Sequence, residues 1–280
     1  MKILLLGEFS GFYTGLKHGL KCLGHEVTLA SMSDGYKKIS GSDISFDPKF
    51  PGIAGKIENR LRPFAALPSL KGFDVVQLIN PFVFDFFGFP KEFFIKKIKK
   101  NNKKFFLSAC GTDAFYFQIS RKKLRYGPFQ DILDFDLNSD TCRFQKQEAL
   151  EYNRWVAEIA DGIIPIMYDY ECGYVGLPNL KPTIPLPVNV EEYEYSENRV
   201  TEKLMVFHGL SRYGFKGTRH VEKAFEVLEE KYPNQLDLKM EGQLPIREYV
   251  KVMKNANVVI DQTSSYSAGL NALIAMSQGK

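Results

Sequence analysis

The sequence predicts an α/β protein made of two parallel-sheet units, and three observations carry that prediction. Short apolar runs alternate with stretches of helical spacing along almost the whole chain. The alternation is interrupted by a proline-rich stretch at 178–199 and then starts again. Each half opens on an apolar run that ends in a glycine-rich turn: GEFSGFYTG follows KILLL, and HGLSRYGFKGT follows LMVF. A chain of 280 residues is long enough to bury one large core or two moderate ones.

KILLL (2–6) is a continuous apolar run of the kind buried in a parallel sheet. After the glycine turn, LKHGLKCLG (16–24) has helical spacing with Gly24 at its end. HEVTLAS supplies a second strand, and FDVVQLIN (73–80), KKFFLSAC (103–110) and DGIIPIM (161–167) supply more. CRFQKQEALEYNRWVAEIA (142–160) is the clearest helix between them. Residues 31–70, rich in Gly, Ser and Pro, are expected to form long loops or short helices. Pro178, Pro182, Pro185 and Pro187 suit extended connecting chain. The boundary is therefore drawn there, with a first unit over 1–190 and a second over 191–280.

In the second unit KLMVFHG (203–209), LDLKM (236–240) and NVVID (257–261) read as strands. TRHVEKAFEVLEEKY (218–232) and PIREYVKVMKNA (245–256) read as helices, the latter beginning at a proline as first helical turns allow. AGLNALIAMSQGK (268–280) begins a further helix. Three strands with their helices make half a doubly wound sheet, so the second unit is expected to be incomplete.

A formal charge of +4 argues for no particular partner, but its distribution is uneven. KEFFIKKIKKNNKK (91–104) carries seven lysines against one glutamate, and the rest of the chain is slightly acidic. Cys22, Cys110, Cys142 and Cys172 are scattered, with no CxxC and no histidines at zinc spacing, which fits reduced thiols and no metal site. The opening apolar run is too short for a signal peptide, and no window approaches a membrane span, so a cytoplasmic protein is expected.

HGLSRYGFKGT is the most informative stretch. Helix N-termini present unpaired N–H groups and a partial positive charge, and a glycine-rich approach lets backbone come close to an anion, commonly phosphate. Arg212 can fork two donors onto phosphate oxygens and Lys216 adds a point charge. Two cations four residues apart suit a diphosphate better than a carboxylate. The turn is neither a Walker A loop nor GxGxxG. Solvated loop cations are the alternative.

HGLSRYGFKGT, the helix after it, and EYVKVMKNANVVIDQTSSYSAGLNALIAMSQGK resemble the C-terminal half of GT-B glycosyltransferases, in particular the large retaining family 4. Weaker likeness lies in the first half: the turn with Gly7 and Gly11, the phrase GHEV, FDVVQLINP, ADGIIPIMYDY, and IPLPVN as the link. The resemblance implies two Rossmann-like domains facing a cleft, the first for the acceptor and the second, truncated, for a nucleotide-sugar. No cofactor beyond that donor is implied. Arg212 and Lys216 would grip the diphosphate and stabilise the leaving group. The donor site would also include Gly7, Gly11, Gly209, Asp261, Ser265, Tyr266 and Asn271. Where the family carries a pair of glutamates beside the donor, this sequence has Tyr266 and Ile274.

CGTDAFY (110–116) resembles the family's loop facing the donor sugar, which would make Asp113 catalytic; Asp is equally a favoured helix N-cap. Of the histidines, His208 alone could line the cleft, and packing explains it as well. Lys91–Lys104 could lie on an anionic membrane surface or be a solvated helix. The resemblance implies a glycan or lipid-linked acceptor in bacterial surface polysaccharide assembly at the inner face of the membrane. No nucleic-acid module is recognisable. Another copy of the chain could complete the second unit. An inactive nucleotide-binding or scaffold relative is the alternative function, and a GT-B epimerase lacks a locatable catalytic carboxylate.

Overall fold

The computed structural model describes residues 1–37, 39–135, 140–210, 213–242 and 244–280. Two parallel sheets lie among them. The first contains β1 (Lys2–Leu6), β2 (Glu26–Ser31), β3 (Ile44–Ser45), β4 (Val75–Leu78), β5 (Lys104–Ala109) and β6 (Gly162–Pro165), in the spatial order β3-β2-β1-β4-β5-β6. The second contains β7 (Leu204–Leu210), β8 (Leu236–Gly242) and β9 (Val258–Ile260), in the order β8-β7-β9. Every neighbouring pair is parallel.

Parallel neighbours need crossovers, and α-helices supply them except between β2 and β3. In chain order they are α1 (Phe12–Cys22), α2 (Gly52–Ala66), α3 (Lys91–Lys100), α4 (Arg121–Lys123), α5 (Phe129–Phe135), α6 (Gln147–Ile159) and α7 (Tyr168–Tyr174). After β7, β8 and β9 come α8 (Thr218–Lys231), α9 (Ile246–Asn255) and α10 (Leu270–Ser277). No described helix is long and apolar enough to cross a membrane.

The continuous apolar strands are explained by helices on both faces of the first sheet. Leu4 and Leu6 of β1 join one core with Phe94, Ile95 and Ile98 of α3 and Val156 of α6. Ile3 and Leu5 point the other way and meet Phe12 and Tyr13 of α1. The second sheet has its own smaller cores, Phe207 with Met253, Ile274 and Ala275 on one face and Val206 with Val221 and Phe225 on the other. Between the sheets, Leu186 packs with the α1 core while Val188 and Tyr193 pack with Phe207.

The segment 31–70 departs from expectation, because it contains the fifteen-residue helix α2. Gly52, Gly55 and Pro63 hide it in the sequence. Tertiary contacts override their low propensity. Gly55 lies where a Cβ would stand 2.1 Å from the Phe50 carbonyl oxygen, and Phe64 packs edge-on against Phe94 of α3 at 5.8 Å.

Candidate active site between the two sheets

Strand β7 lies between β8 and β9, so the chain leaves it first to one side and later returns to the other. The carboxyl ends of β7 and β9 flank the resulting crevice, the place where open α/β sheets collect ligand-binding groups. The turn into α8 enters it. Gly217 holds left-handed backbone (φ 71) just before α8, and a Cβ there would lie 2.1 Å from Thr263 Oγ1. The loop after β9 is fastened to the same turn by the Thr263 N–H, which donates to the Lys216 carbonyl at 2.9 Å. No acidic residue stands in the first turn of α8 and, among the described residues, no side chain caps it. The positive end of its dipole is therefore not met by a carboxylate of its own first turn.

Lys216 is buried in this crevice, and its Nζ donates to Asp261 Oδ1 at 2.9 Å. Their side chains are 8% and 9% exposed, so the pair is almost wholly out of water. Asp261 Oδ2 accepts the N–H of Gly269, just before α10, at 2.9 Å. One carboxylate thus links the lysine of the turn to the start of another helix. His208 is fully buried beside them. Its Nδ1 lies 2.9 Å from the Ile260 carbonyl, which can only accept, and its Nε2 lies 3.1 Å from Thr218 Oγ1. Nδ1 therefore carries the proton and Nε2 accepts the threonine hydroxyl. Burial, reinforced by the Lys216 charge, holds His208 below the ordinary imidazole range, and it is a neutral packing residue.

Arg212, the other cation expected here, lies outside the described residues. Gly209 and Asn271 meet at a residue the sequence did not single out, Tyr249 of α9. A Cβ on Gly209 would stand 1.7 Å from the Tyr249 hydroxyl, and Asn271 Nδ2 donates to that hydroxyl at 3.2 Å. Ser265 and Tyr266 reach across to the first unit. Asp169, 1% exposed at the start of α7, accepts Ser265 Oγ at 3.0 Å and the Tyr266 N–H at 3.1 Å. The Tyr266 ring stacks on Tyr126 at 4.2 Å, and its hydroxyl accepts the Arg125 N–H at 2.9 Å. Both residues thus hold the two units together in this structure. Ile274, at the second of the paired positions, is buried in the core around Phe207.

On the first unit, the glycine turn is filled from within. Glu8 is 4% exposed, and its carboxylate accepts the N–H groups of Gly11, Tyr13 and Thr14 and the Thr14 hydroxyl, at 2.8 to 3.2 Å. The N-terminus of α1 is thereby satisfied by the protein's own anion, although burial still raises the Glu8 pKa. Gly7 holds φ +94, and a Cβ would come within 2.3 Å of Ile79 Cγ2, so the turn needs glycine for packing. Gly11, also left-handed, faces α10 across the junction, with Leu270 Cδ2 at 3.8 Å from a Cβ position. A cavity of about 300 Å³ opens here, walled by Phe9, Met32, Phe46, Phe82 and Phe84 and by Glu8, Asp34, Asn80 and Thr112. It sits at the carboxyl ends of β1 and β4, the switch point of the first sheet. The Thr112 hydroxyl at its wall is buried and has no partner among the described residues.

Asp113, expected to meet the donor, is hydrogen-bonded within the first unit. It is 1% exposed; Oδ1 accepts the Tyr116 N–H at 2.7 Å and Oδ2 the Tyr174 hydroxyl at 2.6 Å. Asn153 joins the network through Tyr174 at 3.0 Å. The cap reading of the sequence describes these bonds. Burial raises the Asp113 pKa to about 6, because the charged form loses more hydration than its bonds replace. A folded-state pKa above the unfolded value means that the folded protein binds the extra proton. Stability from this group is complete below about pH 4 and lost as pH rises to about 6, by roughly 3 kcal/mol. Asp113→Asn is expected to remove that slope; urea unfolding of both proteins across the interval measures it.

No family model and no curated protein sequence matches the chain. Among solved structures, it resembles an alpha-glucosyltransferase in complex with UDP and a 13-mer DNA containing an HMU base. The TM-score is 0.57 at 13% identity, covering 100% of this chain and 78% of that one. The catalytic domain of starch synthase IV from Arabidopsis thaliana, bound to ADP and acarbose, gives 0.47 at 10% identity over 98% of this chain and 76% of that one. The glycotransferase of kitacinnamycin gives 0.45 at 12% identity over 98% and 77%. Likeness at this level of identity concerns the fold. With its two parallel sheets and their helices, the chain has the GT-B fold.

Proposed function

We propose that the chain is a glycosyltransferase that moves a sugar from a nucleotide-diphosphate sugar to a hydroxyl acceptor. One observation carries the proposal. Lys216 is buried in the crevice of the second sheet, two residues before α8, whose N-terminus no described side chain caps, and an anion there gains from both. An ammonium has three donors, so Lys216 can hold Asp261 and a phosphate oxygen together. Cleavage of the anomeric bond builds positive charge on the sugar and negative charge on the departing diphosphate. Lys216, Arg212 and the dipole of α8 would stabilise the latter, an electrostatic contribution set in place before the reaction. The first-unit cavity, across the junction marked by Gly11 and Leu270, would take the acceptor. Membership of the retaining family 4, a cytoplasmic location, and a glycan or lipid-linked acceptor in bacterial surface polysaccharide assembly belong to the same proposal.

A second function, nucleotide binding without turnover, is favoured by Tyr266, which the resemblance would put beside the donor and which packs on Tyr126. Release of nucleoside diphosphate from UDP-, GDP- and ADP-sugars separates the two. Glycosyl transfer requires release that depends on a glycan or lipid-phosphate acceptor. A folded protein that binds a nucleoside diphosphate but splits no donor is the binding module. Release that depends on duplex DNA would replace the acceptor class.

A further inference from the structure

One surface of the first unit is unlike the rest. Helix α2 carries Ile53, Ile57 and Leu61, which are 79%, 50% and 61% exposed. They recur every fourth residue, so they form one continuous stripe. Phe50, just before the helix, is 61% exposed. The stripe continues onto the neighbouring segment. Arg60 lies over the ring of Phe87 at 5.6 Å, Phe64 meets Phe93 of α3 at 6.3 Å, and Phe87 and Phe93 are 90% and 51% exposed. Six large apolar side chains thus share one face, more than scattered surface residues account for.

Cations border the same face. Lys56 is exposed on α2, and Lys96, Lys97 and Lys100 are exposed on α3, whose own apolar residues Phe94, Ile95 and Ile98 point into the core. The acidic residues among them are matched: Glu58 pairs with Arg62 and Glu92 with Lys96. A second copy of this positive face would be repelled, whereas an anionic bilayer surface attracts the cations and accepts the apolar stripe. Long basic side chains can keep their charge at headgroup level while aliphatic and aromatic groups sink below it.

We propose that the face formed by α2, Phe87 and α3 docks on an anionic phospholipid membrane, with the Ile53–Ile57–Leu61 stripe as the inserted element. This assignment does not depend on glycosyl transfer. It also has a geometric consequence for the cavity. Phe46 in the cavity wall is four residues from Phe50, and Phe84 in the same wall is three residues from Phe87. Chain of that length spans at most about 15 Å. The docked face and the cavity wall are therefore neighbours, and an amphipathic acceptor could pass between them.

Flotation of the full chain with phosphatidylcholine vesicles, with and without phosphatidylglycerol, tests the proposal. Wild type is expected to float with the anionic vesicles and to detach as salt is raised. Ile57→Asp/Leu61→Asp, both exposed, is expected to weaken flotation by roughly tenfold or more, and Lys96→Glu/Lys97→Glu to weaken it as well. Unchanged thermal unfolding of each variant keeps the result specific to the surface. Absence of wild-type flotation, or equal flotation by Ile57→Asp/Leu61→Asp, overturns the proposal. So does a wild-type dimer that becomes monomeric in Ile57→Asp/Leu61→Asp without any vesicle binding, since the occupant is then a second copy.

Discussion

Asp261→Asn is expected to destabilise the protein by about 3–5 kcal/mol, a large share of the stability of a domain of this size. The substitution keeps the shape of the side chain and an oxygen for the Gly269 N–H, but it leaves the Lys216 ammonium buried without a counter-charge. Breaking a buried pair from one side costs far more than the pair itself contributes, because hydration lost on burial is no longer offset. The double variant Lys216→Met/Asp261→Asn removes both charges of the pair and should recover most of the loss. Urea unfolding of the single and double variants measures both. A single variant within about 1 kcal/mol of wild type would mean that water reaches Lys216 and that the pair behaves as a surface contact.

Gly209→Ala is expected to cost about 1–3 kcal/mol by overpacking, although alanine is ordinarily the better strand residue. The added Cβ would stand 1.7 Å from the Tyr249 hydroxyl and 2.5 Å from its Cζ. The ring is held by an edge contact with Phe207 at 5.4 Å and by the Asn271 amide, so it cannot swing away without losing both. Gly209→Ala/Tyr249→Ala should be less destabilised than the sum of its single changes, with coupling of about 0.5–3 kcal/mol. Strict additivity would show that the glycine serves something other than Tyr249.

Most of the architecture was legible because a buried parallel strand carries its own signature. KILLL and LMVF are apolar throughout since helices cover both faces, and β1 and β7 fall on them. Helix α2 was missed because Gly52, Gly55 and Pro63 lower its propensity, although Ile53, Ile57 and Leu61 recur at helical spacing. The candidate site was legible in one respect, the placing of Lys216 at a strand-to-helix turn. Its partners were not. Asp261 was singled out as a donor contact, but its bond to Lys216 spans 45 positions of sequence. Tyr249 and Asp169 gave no local sign, because their roles arise from packing between elements distant in the chain. Asp113 was ambiguous for a physical reason: an N-cap and a substrate ligand use the same carboxylate, and burial alone separates them.

The central claim is that the second-sheet crevice holds a nucleoside diphosphate through Lys216. Calorimetric titration of UDP, GDP and ADP into wild type and Lys216→Met, each shown to be folded by its unfolding transition, tests it most directly. A charge-assisted hydrogen bond to phosphate contributes about 1.5–3 kcal/mol, so affinity for the best nucleotide is predicted to fall roughly 10- to 150-fold in the variant. A folded wild type that binds none of the three, or a variant that binds as tightly as wild type, would contradict the claim.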